Sequence, residues 1–141
     1  AITVDDLLAW ERKTGITVGS GDVLLIRTGR WEMVRQKGQW NFLENAAGSH
    51  ASVAKWLKER DVAVIGCDGV SDVMPSGVEG RVNALHELVL VGLGMPILDN
   101  LDLDALAREA GKRNRWEFLF VAAPLRVPGG TGSPLNPIAT F

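Results

Sequence analysis

Apolar and polar positions change period along the chain in blocks that read alternately as helices and strands. Thr3 precedes Asp5 and Asp6, with Leu7, Leu8 and Trp10 behind them. This is a cap, an acidic first turn and an apolar stripe, and it predicts a helix closed by Gly15. Residues 21–29 (GDVLLIRTG) form an apolar run bounded by glycines and predict a buried strand. Residues 31–48 are mixed and predict irregular chain. Ser49 is the expected cap of a helix over residues 49–60, in which Val53, Trp56 and Leu57 recur at helical spacing. Residues 61–68 (DVAVIGCD) predict a second buried strand, and residues 68–80 (DGVSDVMPSGVEG) a long loop of turn formers. There follow a helix over 82–93, a short strand over 95–98, a helix over 102–110, a strand over 115–122 and a Gly/Pro loop over 124–137. Alternating strands and helices place the chain in the α/β or α+β class. No repeat, linker or domain boundary interrupts residues 1–141.

Composition narrows the function classes. A chain of 141 residues buries roughly 70% of its unfolded surface, enough for a core without staples. The net charge is −2 and the pI about 5.7, with no basic stripe, which argues against a nucleic-acid partner. The single cysteine, Cys67, excludes an internal disulfide and lies in an apolar run, which predicts a buried structural thiol. The longest apolar run, from Leu88 to Leu98, is too short to span a bilayer, and no charged-then-apolar leader opens the sequence. The expectation is a cytoplasmic protein with no membrane partner.

Several residues could carry chemistry. On a helix, His86 shares a face with Val89, Leu90 and Leu93, which suits either a hydrogen-bonded core histidine or a ligand. Asp99 stands between the short strand and the next helix, as a cap or as a second ligand. Two groups alone are fewer than the three protein ligands of a catalytic metal. His50 lies at a helix start, where an imidazole tends to stay neutral. Asp68 and Asp72 flank a loop at a strand end, where sites often sit and turns also form. The glycines of PGGTGSP, with Thr131 between Gly130 and Gly132, form either a backbone nest for an oxyanion or a tight surface turn. Trp31, Trp40 and Phe42 can cover a core or line a pocket. There is no Gly-x-Ser-x-Gly elbow and no Walker A ending.

Four stretches, in order, resemble one family. They are GDVLLIRTG, WLKERDVAVIGCDGVSDV, HELVLVGLGMPILDNLDLDAL and FLFVAAPLRVPGGTGSPLNPIA. The likeness runs from about Thr14 to the end and is to the C-terminal half of the cyclase family of metal-dependent amidohydrolases, which includes bacterial kynurenine formamidases. The resemblance implies a swivelling β/β/α fold around a mixed, barrel-like sheet, incomplete in this chain. It implies zinc or manganese, and metal-activated water attacking a formamide or cyclic amide at a C–N bond that is not a peptide bond. By the match, His86 is a metal ligand or the partner of one and Asp99 is a metal ligand, while His50, Gly130, Thr131 and Gly132 are expected to contact a small-molecule amide substrate. The family's H-x-G-T-H-x-D signature is missing. The main ligands are therefore expected on the N-terminal half of the same protein or on a companion subunit, and the chain alone is expected to be inactive. Asp99 stands where the family has glutamate, one carbon–carbon bond (about 1.5 Å) longer, which favours a single-metal site. A homo-oligomer is expected. The rival reading is a non-catalytic structural or oligomerisation domain that keeps the fold without the metal, with Trp10, Trp31 and Trp40 at an interface.

Overall fold

Short runs of branched apolar residues pair side by side in the computed structural model, which describes residues 1–141. Strands β1 (Val23–Ile26), β2 (Val64–Cys67) and β3 (Ile97–Leu98) form one parallel sheet in that order. Val23 lies opposite Val64, and Ile65 opposite Ile97. Parallel pairing requires crossovers, which helices supply. A second sheet is an antiparallel ribbon of β4 (Leu119–Val121) and β5 (Ile138–Thr140). Both sheets are open, so the chain is α/β as expected but neither sheet closes into a barrel. No helix is long and apolar enough to cross a membrane.

The chain divides into two compact units, Ala1–Ala105 and Leu106–Phe141. In the first, Val53, Leu57, Ile65, Leu85 and Val89 are fully buried. Val18, Ala54, Trp56, Val62 and Met95 join this core, with Leu24, Ile26 and Ile97 packed against it from the sheet. Helix α3 (Val53–Glu59) contributes the stripe read from its spacing. Gly66, in the central strand, is required by packing: a Cβ there would lie 2.7 Å from Leu25 Cδ2 and 3.0 Å from Leu101 Cδ1. Gly66→Ala is expected to cost about 1–3 kcal/mol through overpacking, read as a lower urea midpoint at unchanged slope. An unchanged midpoint would show that the sheet yields freely here.

Helix α1 (Val4–Thr14) forms as its ends dictate. The Thr3 N–H donates to Asp6 Oδ2 at 2.8 Å, the Asp6 N–H returns to Thr3 Oγ1 at 3.4 Å, and left-handed Gly15 donates to Glu11 O at 2.8 Å. Three elements of this unit depart from the sequence reading. Residues expected to be irregular contain helix α2 (Arg30–Lys37). Ser49 is not a cap; it is buried, and its N–H donates to Ser71 O at 2.8 Å in a short backbone pairing. The cap position belongs to Ser52, whose N–H donates to His50 Nδ1 at 3.2 Å. The helix expected over 82–93 is a turn of α-helix, α4 (Ala84–His86), running into a π-helix at Glu87–Leu93. The i→i+5 winding turns less per residue, so Val89 faces inward as expected while Leu90 faces solvent.

In the second unit, helix α5 (Asp104–Arg113), which begins at the end of the first unit, stands in place of the expected 102–110 helix. β5 was not expected at all. The Phe118 and Phe141 rings pack at 5.3 Å, and Arg113 lies over Phe141 at 5.2 Å.

Candidate functional site

The three parallel strands deliver their next residues to one edge, the carboxyl end of the sheet, where open α/β sheets bind ligands. After β1 come Arg27 and Thr28, after β2 Asp68 to Asp72, and after β3 Asp99. Two fully buried carboxylates organise this edge, and they do different work.

Asp68 is structural. Its Oδ1 accepts from the Thr28 N–H and Oγ1, both at 2.7 Å, and its Oδ2 accepts from the N–H groups of Gly29 (2.8 Å) and Arg30 (3.1 Å). A negative charge thus sits at the N-terminus of α2, on donors that have no partner inside the helix. This long-range cap explains why helix forms where the local pattern is mixed.

Asp72 builds the chemical site. Its Oδ1 accepts from the Leu85 N–H at 2.6 Å, and its Oδ2 accepts from His86 Nδ1 and from the His86 N–H at 3.3 Å. On the other side of the ring, His86 Nε2 lies 3.0 Å from Asp99 Oδ2. Asp99 is itself oriented, because its Oδ1 accepts from the Ser71 N–H (3.0 Å) and Oγ (2.7 Å). The result is a row, Asp72–His86–Asp99. Its backbone frame is tight: a Cβ on Gly48 would overlap the Asp72 carbonyl and sit 2.6 Å from Val73 N.

Two facing carboxylates favour the imidazolium. Bonds to Asp72 first, then to Asp99, raise His86 to about 9 against the opposing effect of burial. Burial pushes the Asp99 carboxyl up, but its bonds to His86 and Ser71 and the His86 charge outweigh this and hold it below its ordinary value. Burial pushes the Cys67 thiol up to about 12; the Gly69 N–H opposes this, and the Asp68 and Asp99 carboxylates add to it. Cys67 is thus the inert buried thiol its surroundings predicted.

The donor chemistry can be compared with a divalent cation. Two adjacent ligand atoms bound at about 2.0–2.2 Å stand about 3.3–3.6 Å apart in a tetrahedral shell and about 2.8–3.1 Å apart in an octahedral one. Nε2 and Oδ2 stand 3.0 Å apart, so the shorter aspartate side chain does reach the imidazole. Asp72 on Nδ1 is the carboxylate that fixes the tautomer of a ligating histidine. The pair therefore fits one edge of a coordination shell. No third His, Cys, Asp or Glu of this chain completes a group that could hold the ion.

The other expected site residues are His50 and the glycine loop. His50 is half-buried beside the Ser49–Ser71 pairing, with Nδ1 engaged by Ser52 Oγ at 2.9 Å and its ring near Gly77. Gly130, Thr131 and Gly132 lie on the exposed β4–β5 loop of the second unit, where the Gly130 N–H closes a turn onto Val127 O at 3.0 Å and is not free for an oxyanion. Ser71 was missed, and Asp72 was legible only as one of two acids on a strand-end loop.

Residues 1–72 match the family model described as Cyclase. A crystal structure of a novel cyclase is similar over 100% of this chain and 47% of its own length, at 30% identity and a TM-score of 0.85. Isatin hydrolase A from Ralstonia solanacearum is similar over 98% of this chain and 52% of its own, at 28% identity and a TM-score of 0.73. An isatin hydrolase bound to the product analogue thioisatinate follows at 25% identity and a TM-score of 0.71, over 99% of this chain and 52% of its own. The chain thus spans about half the length of these structures. No curated protein matches it at a significant level.

Proposed function

Starting from a chain that belongs to the Cyclase family, we propose that it forms part of a metal-dependent hydrolase opening a non-peptide amide C–N bond. The observation that carries the reading is the Asp72–His86–Asp99 row at the carboxyl end of the parallel sheet. The likeness to isatin hydrolases favours a cyclic amide fused to an aromatic ring over the open formamide of a kynurenine-formamidase substrate.

In this reading His86 Nε2 and Asp99 Oδ2 hold one edge of a zinc or manganese ion. When bound, the ion supplies Lewis acidity and lowers the pKa of water from 15.7 to about 7. The residues of the chain do the positioning. Asp72 accepts the hydrogen bond of the Nδ1–H and so keeps Nε2 as the nitrogen that would face the ion. Ser71 holds Asp99 Oδ1 and so aims Oδ2. Water adds to the carbonyl carbon and the C–N bond breaks; one proton of the water goes to the nitrogen, which becomes an amine still tethered when the amide is cyclic, and the other passes to solvent as the acid ionises to a carboxylate. The remaining ligands come from outside these residues, on an N-terminal segment of the same protein or on a companion subunit. His50 remains a proposed substrate contact, and the assembled enzyme is proposed to be a cytoplasmic oligomer.

The test uses isatin and N-formylkynurenine, followed by absorbance. The 141-residue chain alone is expected to hydrolyse neither. The full gene product carrying this chain is expected to hydrolyse at least one, to lose that activity with EDTA, and to drop at least 100-fold in kcat with His86→Ala. Hydrolysis that persists in His86→Ala, or an inactive metal-loaded gene product, would overturn the reading and leave the non-catalytic domain.

A further inference from the structure

We infer that Arg30, framed by Trp31, Trp40 and Phe42, is a receptor for a carboxylate carried on an aromatic ring or one carbon from it, the class of product that the proposed opening of a ring-fused cyclic amide releases. The inference rests on that reading for the identity of its ligand and on separate residues for its geometry.

The guanidinium carbon of Arg30 lies 5.5 Å from the Trp31 ring centroid, 5.7 Å from Trp40 and 5.3 Å from Phe42. Three aromatic rings around one cation hold it in place by their quadrupoles. They do not neutralise it. No carboxylate of the chain pairs with it: the nearby acid, Asp68, spends its oxygens on Thr28 and on the N–H groups of Gly29 and Arg30. Arg30 Nε is buried with no hydrogen-bond acceptor. A partly desolvated cation without a counter-charge is costly, and an arriving anion offsets that cost. The other arginines packed at this edge differ in this respect, since Arg27 and Arg35 both pair with Asp104, at 2.8 and 2.5 Å.

The frame is also open. Arg30 and its three rings are each half-buried, so part of each meets solvent. Two of the rings are anchored by their edges, Trp31 Nε1 to Leu101 O at 2.8 Å and Trp40 Nε1 to Asn45 O at 2.6 Å, which fixes them as walls of the frame. A guanidinium offers a planar fork that matches a carboxylate, and flat apolar walls beside it suit a carboxylate borne on a ring. The position relates the frame to the proposed chemistry. Arg30 Nη1 lies 3.8 Å from where a Gly69 Cβ would stand. The Gly69 carbonyl accepts from the Asn100 N–H at 2.9 Å, and Ser71, two residues on, donates to Asp99. Arg30 and the His86–Asp99 pair therefore flank the same short loop.

The test titrates benzoate, its neutral isostere benzamide, and acetate into the 141-residue chain, read by quenching of tryptophan fluorescence. Benzoate is expected to bind at least tenfold more tightly than either of the others. Arg30→Gln is expected to lose at least tenfold of benzoate affinity while the melting temperature stays within a few degrees, with Arg30→Lys intermediate. Equal binding of benzoate and benzamide by the wild-type chain would overturn the inference, whatever the variants do, as would full benzoate affinity in a folded Arg30→Gln chain. Neither readout needs a metal or turnover. Arg30-dependent benzoate binding by an inactive gene product would sink the hydrolase reading and leave the anion site standing. His86-dependent hydrolysis with Arg30-independent binding would do the reverse.

Discussion

Asp68→Ala is expected to remove about 3–5 kcal/mol of stability. The change strands three backbone N–H groups and one hydroxyl at a position that is 0% exposed. Each unsatisfied buried donor costs about 1–3 kcal/mol, and water admitted into the gap recovers part of the sum. Against a whole-domain stability of about 5–15 kcal/mol, this is a large share. The loss should be concentrated in helix α2, whose N-terminus has no other cap, so the urea transition moves down and helical ellipticity falls. Asp68→Asn retains one carbonyl acceptor but turns its amide N–H₂ toward donors, and should lose about 2 kcal/mol, in line with ordinary broken-network effects. A change under about 1 kcal/mol in Asp68→Ala would mean that α2 is held by its packing rather than by its cap.

Asp72→Asn is expected to change the chemistry of His86 most. In the wild-type chain, kept free of divalent cations with EDTA, His86 should titrate at about 9, because Asp72 and Asp99 both favour the charged ring. The folded value lies above the ordinary 6.5, so the imidazolium's contribution to stability is complete below about 6.5 and is lost as pH rises through 9. An asparagine amide carries no charge, and the titration should fall back toward the ordinary value, as followed by the His86 Cε1–H resonance. An unchanged titration would show that Asp99 alone governs the ring. In the assembled hydrolase the same substitution is expected to cost about 10–100-fold in metal affinity or activity, the usual effect of removing the carboxylate behind a ligating histidine.

These two acids show how much of the site could be read from the sequence. Both stand on a loop after an apolar strand, a place where sites and turns are equally at home. Nothing nearby in sequence distinguishes them. Asp68 becomes a helix cap because β1 lies beside β2, which brings Thr28 to it across 40 positions. Asp72 becomes the partner of His86 because the chain returns 14 positions later with an imidazole aimed at it. The same absence of local signal hid α2, whose cap is remote, and Arg30, whose aromatic neighbours were read one by one as core or pocket wall. β5 escaped notice because its three residues pair only with β4.

What the sequence determined by itself was whatever depends on neighbours a few residues apart. Helix α1 has its capping box and its terminal glycine, α3 has its stripe, and β1 and β2 have their apolar runs between turn formers. Those signals are local because capping and amphipathic burial act within one or two turns of chain. The tertiary structure alone decided which carboxylate is structural and which one orients His86. It also turned residues around Leu90 outward through the π-helix, and left one arginine caged by rings without a counter-ion. Charge pairing and desolvation depend on distance in space, and only the packed sheet sets those distances.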